Sequence, residues 1–266
     1  MQIYAGETVS LLGVNGCGKT TLIKILLGLE RPSAGIAELN GYDPYDIRSR
    51  LNVGAVLQVS HMVPELTGYE ILQFISQHFP QSRIVGDIVR EFNLQEFIHK
   101  RTEILSFGQK KRLALSLAFV GNPKIIFLDE PTVGLDIKSR LDFWNLIKDY
   151  KRQGITFFLT THYLEEAQQL SDRILILREG EIIFDGTNVE MNNKFLQTKI
   201  NFKLDNSFGL SHKNPHCQKL DDCNYVIETK DADNEIRKMV LNDWPFYDIR
   251  INKNNLDELF LKLTRV

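Results

Sequence analysis

A glycine-rich loop close to the N-terminus ends in a lysine and a threonine. It reads Gly13-Val-Asn-Gly-Cys-Gly-Lys19-Thr20 and matches the pattern G-x-x-x-x-G-K-S/T. Glycines let successive backbone N–H groups turn toward an anion, and a following helix N-terminus adds positive potential. Lys19 supplies a full charge for the β- and γ-phosphates of a nucleotide, and the Thr20 hydroxyl suits Mg²⁺. The residues predicted to contact a nucleoside triphosphate here are Gly13, Asn15, Gly16, Cys17, Gly18, Lys19, Thr20 and Thr21.

Two carboxylates end the apolar run Lys124-Ile-Ile-Phe-Leu-Asp129-Glu130. Ligands of parallel sheets bind beyond the carboxyl ends of the strands, so this run would deliver charge to that edge. Asp129 suits the shell of a Mg²⁺ ion, and Glu130 suits polarising the water that attacks the γ-phosphate. Taken alone, such a segment is also commonly a strand followed by a solvated acidic turn. Beside the loop at 13–20 we interpret it as catalytic.

The elements that would position these side chains alternate between strands and helices. Strands are predicted at 7–12, 53–57, 124–128, 155–160, 173–177 and 181–185, and helices at 20–29, 68–79, 83–92, 108–120, 137–152 and 163–170. The apolar residues of 20–29 are too many for an exposed helix and predict a buried crossover helix. The alternation predicts an α/β fold with a mostly parallel sheet, helices on both faces, and a helical excursion at about 67–120.

The chain becomes more polar after Gly186, and short strands alternate with helices. We place a boundary near 188–198, which gives one domain at 1–190 and a small α+β extension at 191–266. In the extension, strands are predicted at 199–204, 224–229 and 247–251, and helices at 234–242 and 255–263. The last helix carries an apolar face that is expected to pack on the extension itself.

The overall composition excludes several classes of protein. The 266 residues carry a formal net charge of -2, so no basic field exists to hold nucleic acid or anionic lipid. No apolar run approaches the roughly 20 residues that span a bilayer. The first residues do not resemble a signal peptide, because Glu7 interrupts their apolar stretch. Three cysteines without clustered histidines favour a reducing compartment over a metal site. We therefore expect a cytosolic protein without a membrane span of its own.

Four further segments follow the order found in the ABC ATPase family. Gln58 ends a predicted strand and resembles the Q-loop glutamine, and Leu105-Ser-Phe-Gly-Gln109 resembles the LSGGQ signature. The segment that ends at Asp136 resembles the D-loop, and His162 resembles the switch histidine. This resemblance covers nearly the whole chain and implies a P-loop NTPase fold with a helical signature subdomain. It implies that Gln58 and His162 assist Glu130 in catalysis, that Gln58 also contacts Mg²⁺, and that Asp136 belongs to the nucleotide-binding residues.

The signature segment has a physical reading of its own. Ser106 and Gly108 begin a helix, where a hydroxyl and a bare backbone form a second phosphate cap. The resemblance implies that Ser106, Gly108 and Gln109 close on an ATP held by another subunit. Two ATP molecules would then lie between two copies of this chain, or between one copy and a second ABC subunit.

The sequence departs from the family pattern at two places. Phe107 replaces the first glycine of the signature, while Gly108 still allows close approach of the backbone, so we expect activity to survive. In the family, a strand pair before the glycine-rich loop carries an aromatic residue that stacks on adenine. Only eighteen residues precede Lys19 here, which is too few for that strand pair. Tyr4 is too close to the loop to serve as the stacking residue. If the chain is complete, nucleotide affinity should be lower by roughly 1–3 kcal/mol, the value of one stacking contact; the chain is alternatively an N-terminally truncated copy.

The final motifs resemble the branch of the family that powers ABC-2-type exporters. Thr160-Thr-His-Tyr-Leu-Glu-Glu-Ala167 is among the segments that carry this resemblance. It implies an ATP hydrolase at the cytoplasmic face of a membrane that drives a separate transmembrane permease. Two alternatives stay open: a soluble ABC ATPase without a permease, such as an iron–sulfur assembly factor, and a weakly catalytic nucleotide-binding module.

Overall fold

The computed structural model describes residues 1–58, 62–195, 198–204, 217–221 and 223–253. The chain forms two compact units, Met1–Asn188 and Val189–Val266. The strands of the first unit are β1 (Thr8–Leu12), β2 (Val53–Val56), β3 (Ile125–Asp129), β4 (Thr156–Thr161), β5 (Arg173–Arg178) and β6 (Glu181–Gly186). Its helices are α1 (Lys19–Leu26), α2 (Gly68–Ser76), α3 (Val85–Glu91), α4 (Phe107–Ala118), α5 (Ile137–Arg152) and α6 (Leu164–Leu170). Helices α2, α3 and α4 begin within two residues of the predicted positions.

The six strands of the first unit form one sheet in the order β2-β3-β4-β1-β5-β6. Strands β1 to β5 pair in parallel, and β6 is antiparallel to β5. The predicted mostly parallel sheet is therefore confirmed. Leu12 pairs with Thr161 and Asp129 pairs with Thr160. Strands β1, β3 and β4 thus end side by side, and the loops that follow them begin at one edge of the sheet.

Each face of this sheet has its own apolar core. Adjacent residues of β4 point to opposite faces: Phe157 belongs to the core that includes Leu72 and Phe119, and Phe158 belongs to the core that includes Ile23 of α1. Because helices cover both faces, the central strands read as continuous apolar runs rather than as alternating patterns.

Helix α1 is shorter and less buried than predicted. It ends at Leu26 rather than at residue 29, because Gly28 adopts a φ of +67°. A Cβ at Gly28 would come within 2.1 Å of the Pro44 carbonyl oxygen. Lys19 and Ile23 are buried within the helix, and its other apolar residues are half-buried, so the helix is less enclosed than the predicted buried crossover helix. Its apolar residues cover one face of the sheet without being enclosed on the other side.

The C-terminal elements are α7 (Asn188–Phe195), β7 (Thr198–Leu204), β8 (Cys217–Lys219), β9 (Asn224–Thr229), α8 (Ala232–Leu241) and β10 (Phe246–Lys253). The four strands form an antiparallel sheet in the order β10-β7-β9-β8, with a core that includes Phe202, Met239 and Trp244. Helix α7 occupies most of the stretch predicted as a boundary, and strand β8 was not predicted. The helix predicted at 255–263 lies outside the described residues. In the described parts of the chain, no helix has both the length and the hydropathy to cross a membrane.

Candidate functional site

The loop at 13–20 connects the end of β1 to the start of α1 and requires its glycines for two reasons. Gly16 and Gly18 have φ values of +83° and +109°, which favour glycine. At Gly13 an added Cβ would lie 2.3 Å from Cys17 Sγ and 2.8 Å from the Leu177 carbonyl oxygen. At Gly16 the same atom would meet nothing within 4 Å. The loop therefore packs tightly on one side and leaves its backbone accessible on the other, as a phosphate cradle needs.

The remaining predicted members of this loop have different surroundings. Asn15 and Thr21 are exposed, whereas Cys17 is buried with its thiol against Gly13. The Cys17 thiol consequently faces the protein interior rather than the open side of the loop.

Lys19, the one charged residue of the loop at 13–20, is buried with 5% of its surface exposed. Its ammonium donates hydrogen bonds to the carbonyl oxygens of Gly13 (2.8 Å) and Val14 (3.2 Å). It also lies 3.3 Å from Glu130 Oε1. A buried cation is costly unless it is paired and hydrogen-bonded, and here both conditions are met.

Thr20 and Asp129, the two predicted Mg²⁺ ligands on neighbouring elements, are in direct contact. The Thr20 hydroxyl donates to Asp129 Oδ2 at 2.9 Å, and Thr160 Oγ1 donates to Asp129 Oδ1. The Asp129 side chain is fully buried. Hydroxyl and carboxylate oxygens are the donors Mg²⁺ prefers, so this pair fits such an ion. The described residues contain no cluster of three or more His, Cys, Asp or Glu side chains suited to a metal.

Glu130 lies at the centre of the predicted catalytic residues and has an unusual backbone. Its φ is +47°, an uncommon conformation for a residue with a side chain, and its N–H donates to the Thr160 carbonyl oxygen at 3.1 Å. Gln58 Nε2 donates to Glu130 Oε2 at 3.1 Å, and His162 Nδ1 lies 3.7 Å from Oε1. The structure therefore places Lys19, Gln58 and His162 around the carboxylate of Glu130, a buried residue.

The signature segment begins α4. Ser106 Oγ accepts from the Gln109 N–H (3.2 Å), and Gln109 Oε1 accepts from the Ser106 N–H (3.0 Å), which forms a capping box. Phe107 is 54% exposed, and a Cβ added to Gly134 would come within 2.6 Å of its ring. Gly108 faces only Leu135, at 4.0 Å from an added Cβ. The large side chain at 107 is thus accommodated because residue 134 has none.

Asp136 has a structural role in this chain. It caps α5, with Oδ1 accepting from the Ser139 N–H at 2.9 Å and Oδ2 from the Ser139 hydroxyl at 2.7 Å. These hydrogen bonds lower the pKa of Asp136 below its usual value. Its predicted contact with nucleotide stays a prediction.

Comparison with known proteins places this arrangement of loops in a family. The family model described as ABC transporter matches residues 1–133. A Nod factor export ATP-binding protein of Neorhizobium galegae is 30% identical over 272 residues, covering 98% of this chain and 78% of that protein. The chain belongs to the ABC transporter family. The resemblance predicted from the sequence motifs is thereby confirmed.

Two further relatives of this ABC transporter chain bear on its function. A doxorubicin resistance ATP-binding protein of Mycobacterium tuberculosis is 36% identical over 202 residues, covering 73% of this chain and 60% of that protein. A dimeric ATP-binding cassette in a post-hydrolysis state, bound to ADP and Pi, superposes with a TM-score of 0.65 and 26% identity over 70% of this chain and 88% of that one. The chain spans less than two thirds of the length of the first curated relatives it matches, 13% in one from Dictyostelium discoideum.

Two residues that contact this site of the ABC transporter chain, Thr160 and Lys111, were not predicted from the sequence. Thr160 donates to Asp129 and, through its hydroxyl oxygen, accepts from the Glu130 N–H at 3.1 Å. Lys111 of α4 reaches to 3.5 Å from the Glu130 carbonyl oxygen, and burial lowers the pKa of its ammonium. A threonine inside a strand and a lysine inside a basic helix carry no sequence signal for these contacts.

Proposed function

We propose that this chain is the ATP-binding and ATP-hydrolysing subunit of an ABC transporter and drives a separate permease in the direction of export. The observation that carries the proposal is the meeting of Lys19, Thr20, Asp129 and Glu130 at one edge of the sheet. In the same proposal, residues 1–190 form the ATPase domain and 191–266 form a C-terminal extension.

The chain's own residues would bind the triphosphate through the loop at 13–20. Its backbone amides and the ammonium of Lys19 hold the phosphates, and the N-terminus of α1 adds positive potential. In the structure Lys19 bonds to two carbonyl oxygens and to Glu130. Bound phosphate would compete for the same ammonium, so nucleotide binding would weaken the ion pair between Lys19 and Glu130.

Thr20, Asp129 and Gln58 would hold Mg²⁺ beside the phosphates. The ion supplies charge neutralisation of the phosphoryl oxygens during transfer. Thr160 keeps the Asp129 carboxylate oriented through its hydroxyl.

Glu130 would act on the attacking water. A carboxylate at this position accepts a proton or polarises the water O–H bond, and Gln58 and His162 orient it from two sides. The strained backbone of Glu130 aims the carboxylate at the site rather than at solvent.

We further propose that each active site is shared between two subunits, either two copies of this chain or one copy and a second ABC subunit. Ser106 and Gln109 bond to each other within α4 rather than to the loop at 13–20. A helix start with a free backbone at Gly108 suits a phosphate brought by another molecule. The dimeric form of a related cassette supports this arrangement.

Mixing two inactive variants tests the shared site. Lys19→Met and Ser106→Arg should each be inactive alone, because each removes one of the two phosphate caps from both sites. In a mixed dimer one site keeps both caps, so the mixture should recover roughly a quarter of the parent phosphate-release rate for random exchange.

The matched control mixes Lys19→Met with Glu130→Gln. These two residues act in the same half of the site, so every site in that mixture has lost one of them and no activity should return. Recovery in the control, or none in the first mixture, would contradict the shared site.

We propose the cytoplasmic face of a membrane as the location and a transmembrane permease as the partner. The names of two relatives, a drug resistance ATP-binding protein and an export ATP-binding protein, support the export direction. The test is purification of the full chain from detergent-solubilised membranes of its own cells, followed by reconstitution into vesicles. We expect an equimolar polytopic membrane protein that raises the rate of ATP hydrolysis. A chain active only in soluble complexes would support the alternative of a soluble ABC ATPase.

A further inference from the structure

The first turn of α4 packs against the turn that follows Glu130 in the same chain. Phe107 and Lys111 lie four residues apart, so they share one face of the helix. A Cβ added to Gly134 would come within 2.6 Å of the Phe107 ring, so the backbone of the turn runs beside that ring. The Lys111 ammonium lies 5.8 Å from the centre of the same ring, within the range of a cation–π contact. Phe107 therefore flanks both the turn and the Lys111 side chain.

The Lys111 ammonium contacts the backbone of Glu130. Within the described part of the chain, its one hydrogen bond goes to the Glu130 carbonyl oxygen, at 3.5 Å. The same oxygen accepts a hydrogen bond from the Val133 N–H at 3.4 Å. On the other side of the residue, the Glu130 N–H donates to the carbonyl oxygen and to the hydroxyl oxygen of Thr160, both at 3.1 Å. Both peptide groups that flank the Glu130 side chain are therefore held by other residues.

The backbone of Glu130 needs this support. Its φ of +47° is uncommon for a residue with a side chain, and a strained conformation persists only where its surroundings hold it. Of the two donors to the Glu130 carbonyl oxygen, Lys111 is the charged one, and charged donors form stronger hydrogen bonds than neutral ones. Loss of Lys111 would leave this oxygen with the long bond from Val133. Rotation of the freed peptide would move the carboxylate away from Gln58 and His162, which lie beside it in the structure.

We propose that Lys111 is a positioning residue that holds the Glu130 peptide and thereby aims the catalytic carboxylate at the attacking water. The helix that carries Lys111 also begins with Ser106, whose proposed partner is a phosphate bound by a second subunit. Lys111 consequently acts on the ATP held by its own chain, whereas Ser106 acts on the ATP held by the other subunit. This inference rests on the proposed function, because it assigns Lys111 a part in the hydrolysis of ATP.

The first test compares three single variants. Lys111→Met should lower kcat about tenfold while the KM for MgATP stays within about threefold, because Lys19 and Thr20 are untouched. Lys111→Arg keeps a charged donor and should retain at least about a third of the parent kcat. Lys110→Met is the matched control, because the Lys110 ammonium lies at the same distance, 3.5 Å, from a carbonyl oxygen that belongs to Glu103. The kcat of this control should equal that of the parent.

Mixed dimers locate the action of Lys111. When Lys111→Met pairs with Ser106→Arg, both defects fall in one site and the other site is intact. For random exchange this mixture should release phosphate at roughly a quarter of the parent rate. When Lys111→Met pairs with Lys19→Met, each site carries one defect, so the rate should stay near about a twentieth of the parent rate.

Parent-like kcat in Lys111→Met, or an equal loss in Lys110→Met, would overturn the inference. Recovery with Lys19→Met instead of with Ser106→Arg would also overturn it, because Lys111 would then act on the ATP of the second subunit. If Lys111→Met does not fold, Lys111→Gln takes its place with the same expectations. If Lys19→Met and Ser106→Arg fail to complement each other, the shared site is refuted and the single variants decide the role of Lys111. A parent chain that binds but never hydrolyses MgATP would instead overturn the proposed function, and with it this inference.

Discussion

Replacing Glu130 with glutamine is expected to lower kcat by about 10²–10⁴-fold, the range that general acid–base catalysis contributes. The amide keeps the shape of the side chain and can still bond to Gln58, but it cannot accept a proton from water. Nucleotide binding should persist or tighten, because the change removes a negative charge that lies 3.3 Å from the Lys19 ammonium. With turnover blocked, ATP should hold the protein as a dimer, measured by light scattering alongside phosphate release.

The matched control for this change is Glu179→Gln. Glu179 also has a left-handed backbone, with a φ of +51°, but it is exposed in the turn between β5 and β6. It therefore separates loss of the catalytic carboxylate from any effect of the amide on a strained backbone. A Glu130→Gln protein that turns over as fast as the parent would support the alternative of a nucleotide-binding module that does not use this carboxylate.

Replacing Lys19 with methionine is expected to weaken MgATP binding by about 100-fold or more. Hydrogen bonds to charged groups contribute about 1.5–3 kcal/mol each, and Lys19 is placed to make two to phosphate. The loss should appear directly in equilibrium binding of a fluorescent ATP analogue, independent of turnover. Lys24→Met is the control, since Lys24 lies on the same helix and pairs with Glu30 at 2.8 Å on the surface.

The Lys19 change also tests the ion pair seen at the site. Lys19 and Glu130 have side chains that are 5% and 8% exposed, so methionine leaves a buried carboxylate without its partner. The melting temperature of Lys19→Met should therefore fall, and adding Glu130→Gln should restore part of it without restoring nucleotide binding. Unchanged nucleotide affinity in Lys19→Met would refute the assignment of the loop at 13–20 as the phosphate site.

Much of the fold could be predicted from local patterns. The alternation of predicted strands and helices indicated a mostly parallel sheet with helices on both faces, because parallel strands need crossover connections. The predictions failed where an element depends on pairing with a distant strand or on burial by other elements. Strand β8 has three residues and exists through its pairing with β9. Helix α7 is short and polar, and its residues were predicted to form a domain boundary. How far α1 is buried depends on which other elements pack over it.

The types and order of the site residues could be predicted from the sequence, because phosphate binding requires glycine, lysine and carboxylates at short, characteristic spacings. Which of them meet was decided by the register of distant strands. The pairing of Asp129 with Thr160 puts a threonine hydroxyl against both acidic residues, and the fold gathers Gln58 and His162 on Glu130. The burial of Glu166 could not be predicted from the sequence either, since identical side chains at 165 and 166 are exposed and buried respectively. Local spacing specifies chemistry, whereas contacts across more than 30 residues exist only once the sheet has formed.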